Sequence, residues 1–238
     1  MRMLRGEQFS MLRALAAQLS DRVREGTEYY AAFMRRVATE ADRASLNLQH
    51  TDRAIVPDIL HAVDSSAALA GRRSLEVTPL DPRFIGEHLP DNRVFPGEKV
   101  KYLTLQERKE YALRIDPGDG KIYDSRGNLF DTSDCLDFLG YENPWALYVL
   151  GKRGTMYASK IWAPGKFQHS SLLAGGPVAG AGMLRVEDGV LTGLDNSSGH
   201  YKPSKRIFAQ TIGHLIGKGV PINIKDVEIE FYRPDQQE

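Results

Sequence analysis

The stretch that decides the fold is "MLRVEDGVLTGL", residues 183–194. Two runs rich in Leu and Val flank Asp188 and Gly189, and this pair suits a type I′ turn because both of its central positions require positive φ. The stretch therefore predicts an antiparallel β-hairpin. Outward from it, "WALYVLGKRGTMYAS" (145–159) predicts two further strands joined by a Gly-bounded turn, and "VEIEFY" (227–232) predicts a C-terminal strand.

Helical periodicity appears on both sides of these strands. Apolar residues recur every three to four positions in three segments between residues 11 and 69, and again from Lys205 to Gly217. Ser204 is placed to be the N-cap of that late helix. Because helices precede strands without regular βαβ units, the pattern predicts an α+β fold: N-terminal helices, then a mostly antiparallel sheet, with a late helix and a C-terminal strand.

A proline-rich stretch divides the chain. Four prolines between residues 78 and 98 are spaced too closely for a helix, which predicts an extended connection. The predicted organisation is a helical N-terminal region (1–77), a Pro-rich connection (78–98) and an α+β domain (99–238).

Composition excludes several classes of function. Lys plus Arg and Asp plus Glu both total 31 of 238 residues, so no global field favours nucleic acid or an acidic membrane surface. No apolar run approaches the roughly 20 residues of a membrane span. The first residues lack the apolar core of a secretory signal, and the one cysteine excludes an internal disulfide. We therefore expect a cytoplasmic protein.

Two polar clusters are candidates for chemistry. The first polar cluster (residues 168–171) precedes a run of Gly, Ala and Leu and consists of Gln168, His169, Ser170 and Ser171. The second polar cluster (residues 196–202) reads "NSSGHYK". Because the hairpin between them returns the chain near its starting point, both are predicted at one end of the sheet. If the first cluster forms a strand, His169 and Ser171 share one face.

The second cluster leads into the predicted helix at Lys205. A helix N-terminus attracts anions through its free N–H groups and its dipole. Lys202, Lys205 and Arg206 add positive charge there, with His200 and Tyr201 beside them. The alternative stays open that Ser204 only caps the helix, the cations are solvated and His200 is a packed side chain.

Common catalytic motifs are missing from the sequence. It contains no phosphate-binding loop and no nucleophile elbow, and "GAG" at 180–182 leads into a strand rather than a helix. The six histidines are scattered, so no metal site is predicted, and no cofactor is indicated. Cys135 lies between acidic residues, which makes it a poor nucleophile.

Several stretches resemble one known family. They are "VKYLTLQERKEYALRI" (100–115), "DGKIYDSRGNLFDT" (119–132), "WALYVLGKRGTMYASK" (145–160), "GKFQHSSLLAGGPVAGAGMLRVEDGVL" (165–191) and "SSGHYKPS" (197–204). Together they resemble the conserved domain of the plant IQ-motif-containing calmodulin-binding (IQM) proteins, a domain that also has fungal and bacterial relatives. The most characteristic positions are His169, Ser170, Ser171, Ser198, His200 and Tyr201.

The resemblance implies a signalling protein with a calmodulin connection. In the plant proteins calmodulin binds an IQ motif ahead of this domain, and no such motif occurs here. Arginines near apolar faces of the predicted N-terminal helices form a weak calmodulin-target pattern, which is also typical of packing helices: Arg13, Arg22, Arg24, Arg35 and Arg36. The bacterial relatives suggest an effector or toxin delivered into the cytosol of a host or target cell.

Two functions are compatible with these features. In the first, a His/Ser pocket binds and acts on an anionic, phosphate-bearing small molecule or modified protein, as a transferase or hydrolase. His169 or His200 is then the acid/base, with Ser170 or Ser171 attacking or orienting the substrate beside Tyr201. The residues predicted to hold the ligand are Gln168, Ser198, Lys202, Lys205 and Arg206. The alternative is a non-catalytic interaction module regulated by calmodulin or a similar partner.

Overall fold

The computed structural model describes residues 74–136, 142–222 and 227–230. The helices predicted between residues 11 and 69 lie outside these residues. The three-part division of the chain stays a prediction. Among the described residues no helix is both long and apolar enough to span a bilayer.

A five-stranded sheet forms the centre of the described region. The strands of the described region are β1 (Arg114–Ile115), β2 (Ile122–Tyr123), β3 (Ala146–Leu150), β4 (Met156–Ser159), β5 (Gly180–Glu187), β6 (Val190–Asp195) and β7 (Glu228–Glu230). The large sheet has the order β4-β3-β5-β6-β7, and β1 and β2 form a separate two-stranded sheet. Every pair is antiparallel except β6 with β7, which is parallel. The α+β class with a mostly antiparallel sheet is confirmed.

The β5–β6 hairpin has the predicted turn. Asp188 and Gly189 have φ values of 47° and 80°, the positive values that a type I′ turn requires. Gly189 also accepts a hydrogen bond from the backbone N–H of Ile122 at 2.8 Å, which fixes the hairpin tip to β2. The turn therefore connects the small sheet to the large one.

Helices cover both faces of the large sheet. All five residues of β3 are buried, because alternate side chains enter two separate apolar clusters. Helix α2 (Lys205–Gly217) contributes Phe208, Ile212 and Leu215 to one cluster. The short helix α1 (His169–Leu173) contributes Leu172 to the other. The first and second polar clusters both adjoin this second face.

Helix α2 is confirmed with its predicted cap, whereas the strand interpretation of residues 168–171 is wrong. The Ser204 hydroxyl accepts a hydrogen bond from the Ile207 N–H at 3.4 Å. Residues 169–173 are helical instead of extended, because the Ser171 hydroxyl accepts from the Gln168 N–H at 2.9 Å and turns the chain. Ala174 then ends α1 in the left-handed conformation, with φ 54°.

Alternating residues in "YALRI" (111–115) predict a strand over this whole stretch, but the observed strand is shorter. Residues Glu107–Tyr111 form a 3-10 helix, and β1 is confined to Arg114–Ile115. The Thr104 N–H donates to the Glu107 carboxylate at 2.9 Å, and the Glu107 N–H donates to the Thr104 hydroxyl at 3.2 Å. This reciprocal pairing of side chains with backbone closes the turn that leads into the 3-10 helix.

Candidate functional site

The first polar cluster is buried on α1. Its four side chains have exposed fractions between 0% and 7%. Ser171 is occupied in capping α1, while Ser170 lies completely inside the protein. Because residues in one helical turn point in successive directions, the predicted pairing of His169 with Ser171 on one strand face does not apply.

His169 is held by the first strand of the hairpin. Its Nε2 lies 2.9 Å from the carbonyl oxygen of Gly182. A carbonyl oxygen only accepts, so Nε2 carries the proton and donates, which leaves Nδ1 as the acceptor. Burial is the main cause that lowers the pKa of His169 to about 4; the hydrogen bond to Gly182 opposes this shift, and the nearby charge of His200 adds to it. The ring is therefore neutral at pH 7.

Gly182 brings the second cluster against β5. A Cβ atom at this position would lie 2.2 Å from the carbonyl oxygen of Asp195, so the close approach of the two backbones requires glycine. The Asp195 carboxylate then accepts from the N–H groups of Met183 at 2.7 Å and Ser197 at 2.8 Å. These bonds fix the start of the loop that carries residues 196–202.

His200 lies in a closed, partly aromatic setting. Its Nε2 is 2.8 Å from the carboxylate of Glu87, and both side chains are buried. The imidazole stacks on Phe84, with the ring centres 3.9 Å apart and the planes at 21°. The Tyr102 hydroxyl donates to the other oxygen of Glu87 at 3.1 Å. One carboxylate thus holds two side chains.

Tyr201 links the second polar cluster to the chain just after α1. Its hydroxyl donates at 2.9 Å to the carbonyl oxygen of Gly176, which follows α1. Burial, the largest cause, raises the pKa of Tyr201 far above its usual value, so the phenol stays protonated. The Ser198 carbonyl oxygen accepts from the N–H groups of Tyr201 at 3.2 Å and Lys202 at 2.7 Å. The loop is consequently a compact turn.

The three predicted anion-binding cations lie on the periphery. The Arg206 guanidinium pairs with Glu76 at 2.9 Å, and its side chain is 81% exposed. Lys205 is half-buried at the start of α2, and Lys202 is half-buried with φ 42°. A hydrogen bond from Arg83 is the main cause that lowers the pKa of Asp81, and the charge of Lys202 adds to it.

The structure therefore brings the first cluster together with His200 and Tyr201. Sequence reasoning missed Glu87, Phe84 and Tyr102, which line the His200 side of this region. Glu87 lies in "IGEHLP" (85–90), where no apolar periodicity indicates burial. This segment also precedes the stretches that resemble the IQM domain. No signal in the sequence distinguishes it from a solvated glutamate.

Two buried polar atoms of the first cluster lack a hydrogen-bond partner within the described region. They are Nε2 of the Gln168 amide and the hydroxyl oxygen of Ser170. A buried donor without a partner costs about 1–3 kcal/mol, so such a group often marks the place of a water molecule or ligand. These atoms are the feature of the site most suggestive of a bound molecule.

Metal ligation and the thiol of Cys135 are two further points of chemistry in the described region. Within residues 74–136, 142–222 and 227–230, no group of three His, Cys, Asp or Glu side chains is arranged to hold a metal ion. Cys135 is buried, and burial is the main cause that raises the pKa of its thiol to about 11. At neutral pH it is therefore a protonated core side chain.

Comparison with known proteins identifies the region that carries the site. Residues 107–208 match the model of the IQ motif-containing protein middle domain. This part of the chain is similar to an IQM middle domain. This match confirms the resemblance to the IQM family, and it includes both polar clusters. Glu87 and Phe84 lie outside the matched range.

Relatives in Arabidopsis thaliana give the same result. The IQ domain-containing protein IQM2 is 38% identical over 131 residues, which cover 55% of this chain and 20% of the relative. IQM4 is 31% identical over 140 residues, covering 58% and 24%, and IQM3 is 34% identical over 131 residues, covering 55% and 26%. The similarity thus spans about a quarter of each relative's length. The fungal and bacterial relatives stay an expectation.

No solved structure matches this chain.

Proposed function

We propose that the chain is a non-catalytic interaction module of the IQM type, which acts in the cytoplasm and is regulated by calmodulin or a similar partner. The observation that carries this proposal is the state of His169. A general acid/base works best with a pKa near neutrality, whereas His169 is neutral, buried and bonded to a backbone carbonyl. Its contacts favour a role in shaping the domain.

The neighbouring groups support the same interpretation. Ser171 caps α1, Tyr201 donates to a backbone carbonyl, and His200 is enclosed between Glu87 and Phe84. Each polar group thus holds one part of the domain to another. The packing of loops against the sheet therefore accounts for the polar residues that are characteristic of the IQM domain, and no catalysed reaction is needed to account for them.

Calmodulin binding is tested on the full chain. Calorimetric titration with calcium-loaded calmodulin is compared for the unchanged chain and a variant with Arg13, Arg22, Arg24, Arg35 and Arg36 all replaced by Gln. We expect the unchanged chain to bind and the variant to bind at least about tenfold more weakly, because basic amphipathic segments contact calmodulin through both charge and apolar area.

The matched control removes five exposed basic residues of the described domain: Arg93, Lys99, Lys109, Arg126 and Arg153. This control is expected to bind like the unchanged chain. No binding by the unchanged chain, or an equal loss in both variants, would count against calmodulin as a partner recognised by the N-terminal arginines.

A second candidate function is favoured by one observation. The partnerless donors of Gln168 and Ser170 are suited to a ligand that offers hydrogen-bond acceptors, such as a phosphate-bearing small molecule or modified protein. In this candidate His169 or His200 with Ser170 would act on the ligand as a transferase or hydrolase. The buried Glu87 carboxylate works against it, because a negative charge beside His200 repels an anion.

Pyrophosphate is a direct probe for this second candidate. If the pocket binds it, the melting temperature rises with pyrophosphate concentration, since a ligand that binds only the folded chain stabilises it. The rise should disappear in Ser170→Ala and persist in Ser133→Ala, where the lost hydroxyl is exposed and bonded to Asp131. An unchanged melting temperature in all three proteins would eliminate the phosphate pocket.

A further inference from the structure

The segment ahead of the matched domain crosses the site. Residues 74–99, called the strap below, run over the face that carries the second polar cluster. The Thr78 N–H donates to the Val178 carbonyl at 2.8 Å, and the Asp81 N–H donates to the His200 carbonyl at 2.8 Å. Glu87 and Phe84 of the strap then enclose the His200 ring. His200 is consequently only 5% exposed.

The strap is attached in an unusual way. Glu87 is the only buried residue among residues 74–99, all of which the structure describes. Ile85 and Leu89 on either side of it are 69% and 51% exposed. A segment that is docked permanently normally buries its apolar side chains and leaves its carboxylates in water. Around residue 87 the carboxylate is inside and the two neighbouring apolar side chains are outside, whereas Leu75, Val77 and Leu80 at the start of the strap pack, partly buried, against the apolar clusters.

A buried carboxylate makes attachment dependent on its partners. Glu87 loses its hydration on docking, and among the described residues the bonds from His200 and Tyr102 compensate for that loss. When the strap detaches, the carboxylate regains water, so detachment is less unfavourable than exposure of an equally large apolar side chain. The bonds to Glu87 therefore act as a latch.

We propose that the strap is a releasable cover, latched by Glu87 on His200 and Tyr102, and that its release exposes His200. The strap follows residues 1–73, which include the candidate calmodulin-binding arginines. A partner that pulls on that region can open the latch, and this consequence for partner binding rests on the proposed function. The latch itself is a property of the chain alone.

Amide hydrogen exchange of the full chain, without any partner, tests the latch. Glu87→Gln keeps the shape of the side chain and removes its charge. Peptides covering residues 74–99 should exchange at least about tenfold faster in this variant, while β3 and β5 keep their rates, because only local opening is promoted. The matched control is Glu98→Gln, the same change in the same strap, where the carboxylate pairs with Lys166 at an exposed site.

Two results of the exchange experiment would overturn the latch. One is an unchanged exchange rate of the strap in Glu87→Gln, and the other is an equal increase of the exchange rate in the strap, β3 and β5. If Glu87→Gln fails to fold, Tyr102→Phe removes one of the two bonds to Glu87 and should show a smaller acceleration confined to the strap. Acceleration that extends to β3 and β5 in Tyr102→Phe would overturn the proposal as well.

Chemical access to His200 is a second measurement. Diethyl pyrocarbonate acylates accessible imidazole nitrogens, and peptide mapping assigns each site. His200 should be modified at least about tenfold faster in Glu87→Gln than in the unchanged chain, because local opening controls access to a buried group. His214, bonded to the Gly154 carbonyl at 2.9 Å and remote from the strap in sequence, should keep its rate. Equal rates at His200 in both proteins would overturn exposure on release.

Discussion

The two histidines of the site differ in what holds them. His169 lies on α1 and donates to the backbone carbonyl of Gly182 in the sheet. His200 lies on a loop and contacts the carboxylate of Glu87, which is 113 residues away in the sequence. The carbonyl cannot change its charge or leave the sheet. The carboxylate belongs to the strap, which is not part of the sheet. The first histidine is therefore a fixed part of the fold, and the second is a point at which the fold can open.

Gly182 contacts both sides of the site, because its carbonyl oxygen accepts from His169 and its Cα lies against the backbone of Asp195 ahead of the second polar cluster. Gly182→Ala is expected to lower the free energy of unfolding by about 3 kcal/mol or more, because a Cβ atom would overlap the Asp195 carbonyl on the neighbouring strand. Urea denaturation followed by circular dichroism measures the change. Gly118→Ala is a control for loss of a glycine, because this position is exposed, has no positive φ, and a Cβ atom there would meet only the Asp116 carboxylate, at 3.2 Å. A Gly182→Ala protein as stable as this control would refute the close approach.

His200→Ala tests the carboxylate side of the comparison. We expect a loss of about 3 kcal/mol in the free energy of unfolding, since Glu87 would stay buried without its imidazole partner. The double variant Glu87→Gln with His200→Ala should recover part of this loss, because no charge then remains inside. A double variant less stable than His200→Ala would mean that the pair contributes little through charge.

His169→Gln tests the contact of His169 with the Gly182 carbonyl through the pH dependence of the free energy of unfolding. The folded pKa of His169 lies near 4, below the unfolded value of 6.5, so the unfolded chain takes up a proton first as the pH falls. Stability is thus fully present above pH 6.5 and decreases towards pH 4, with a loss of about 2 kcal/mol by pH 5 from this residue. Glutamine retains a donor for Gly182 and does not titrate, so the decrease should shrink by that amount.

Urea denaturation at pH 7 and pH 5 measures this difference. His214, whose pKa is also lowered mainly by burial, contributes a decrease of the same sign in both proteins and so cancels in the comparison. An identical pH dependence of the unchanged chain and His169→Gln would mean that His169 titrates normally in the folded protein.

Arg206→Ala should have the smallest effect. Its pair with Glu76 is exposed on both sides, and such pairs contribute less than about 1 kcal/mol. The melting temperature is expected to stay nearly constant at all pH values between 5 and 8. A large decrease would show that the start of α2 contributes more to the domain than its exposed position indicates.

Local signals account for the parts of the fold that sequence predicted. The turn at Asp188–Gly189, the strands on both sides of residues 151–154 and the Ser204 cap depend on neighbouring residues, which periodicity and turn chemistry detect. Helix α1 was missed because it has only five residues and depends on one bond between the Ser171 side chain and the Gln168 backbone.

The site was predicted only in part for a related reason. Both polar clusters lie within or next to strong local patterns, and their meeting followed from the hairpin between them. The burial of Glu87 depends instead on His200 and Tyr102, one of them far along the chain. Long-range pairing of this kind leaves no periodic trace in a single sequence, so Glu87 was indistinguishable from a surface residue.

The separation of Glu87 and His200 also has a consequence for the order of folding. Contacts between residues 113 positions apart close a large loop, and they form late because the entropy of that loop must be overcome first. The hairpin between β5 and β6 closes within two residues and can form early. Weakening the contact of Glu87 with His200 should therefore speed unfolding and leave the folding rate nearly constant. The strap sets how long the native state lasts, while the hairpin sets how fast it is reached.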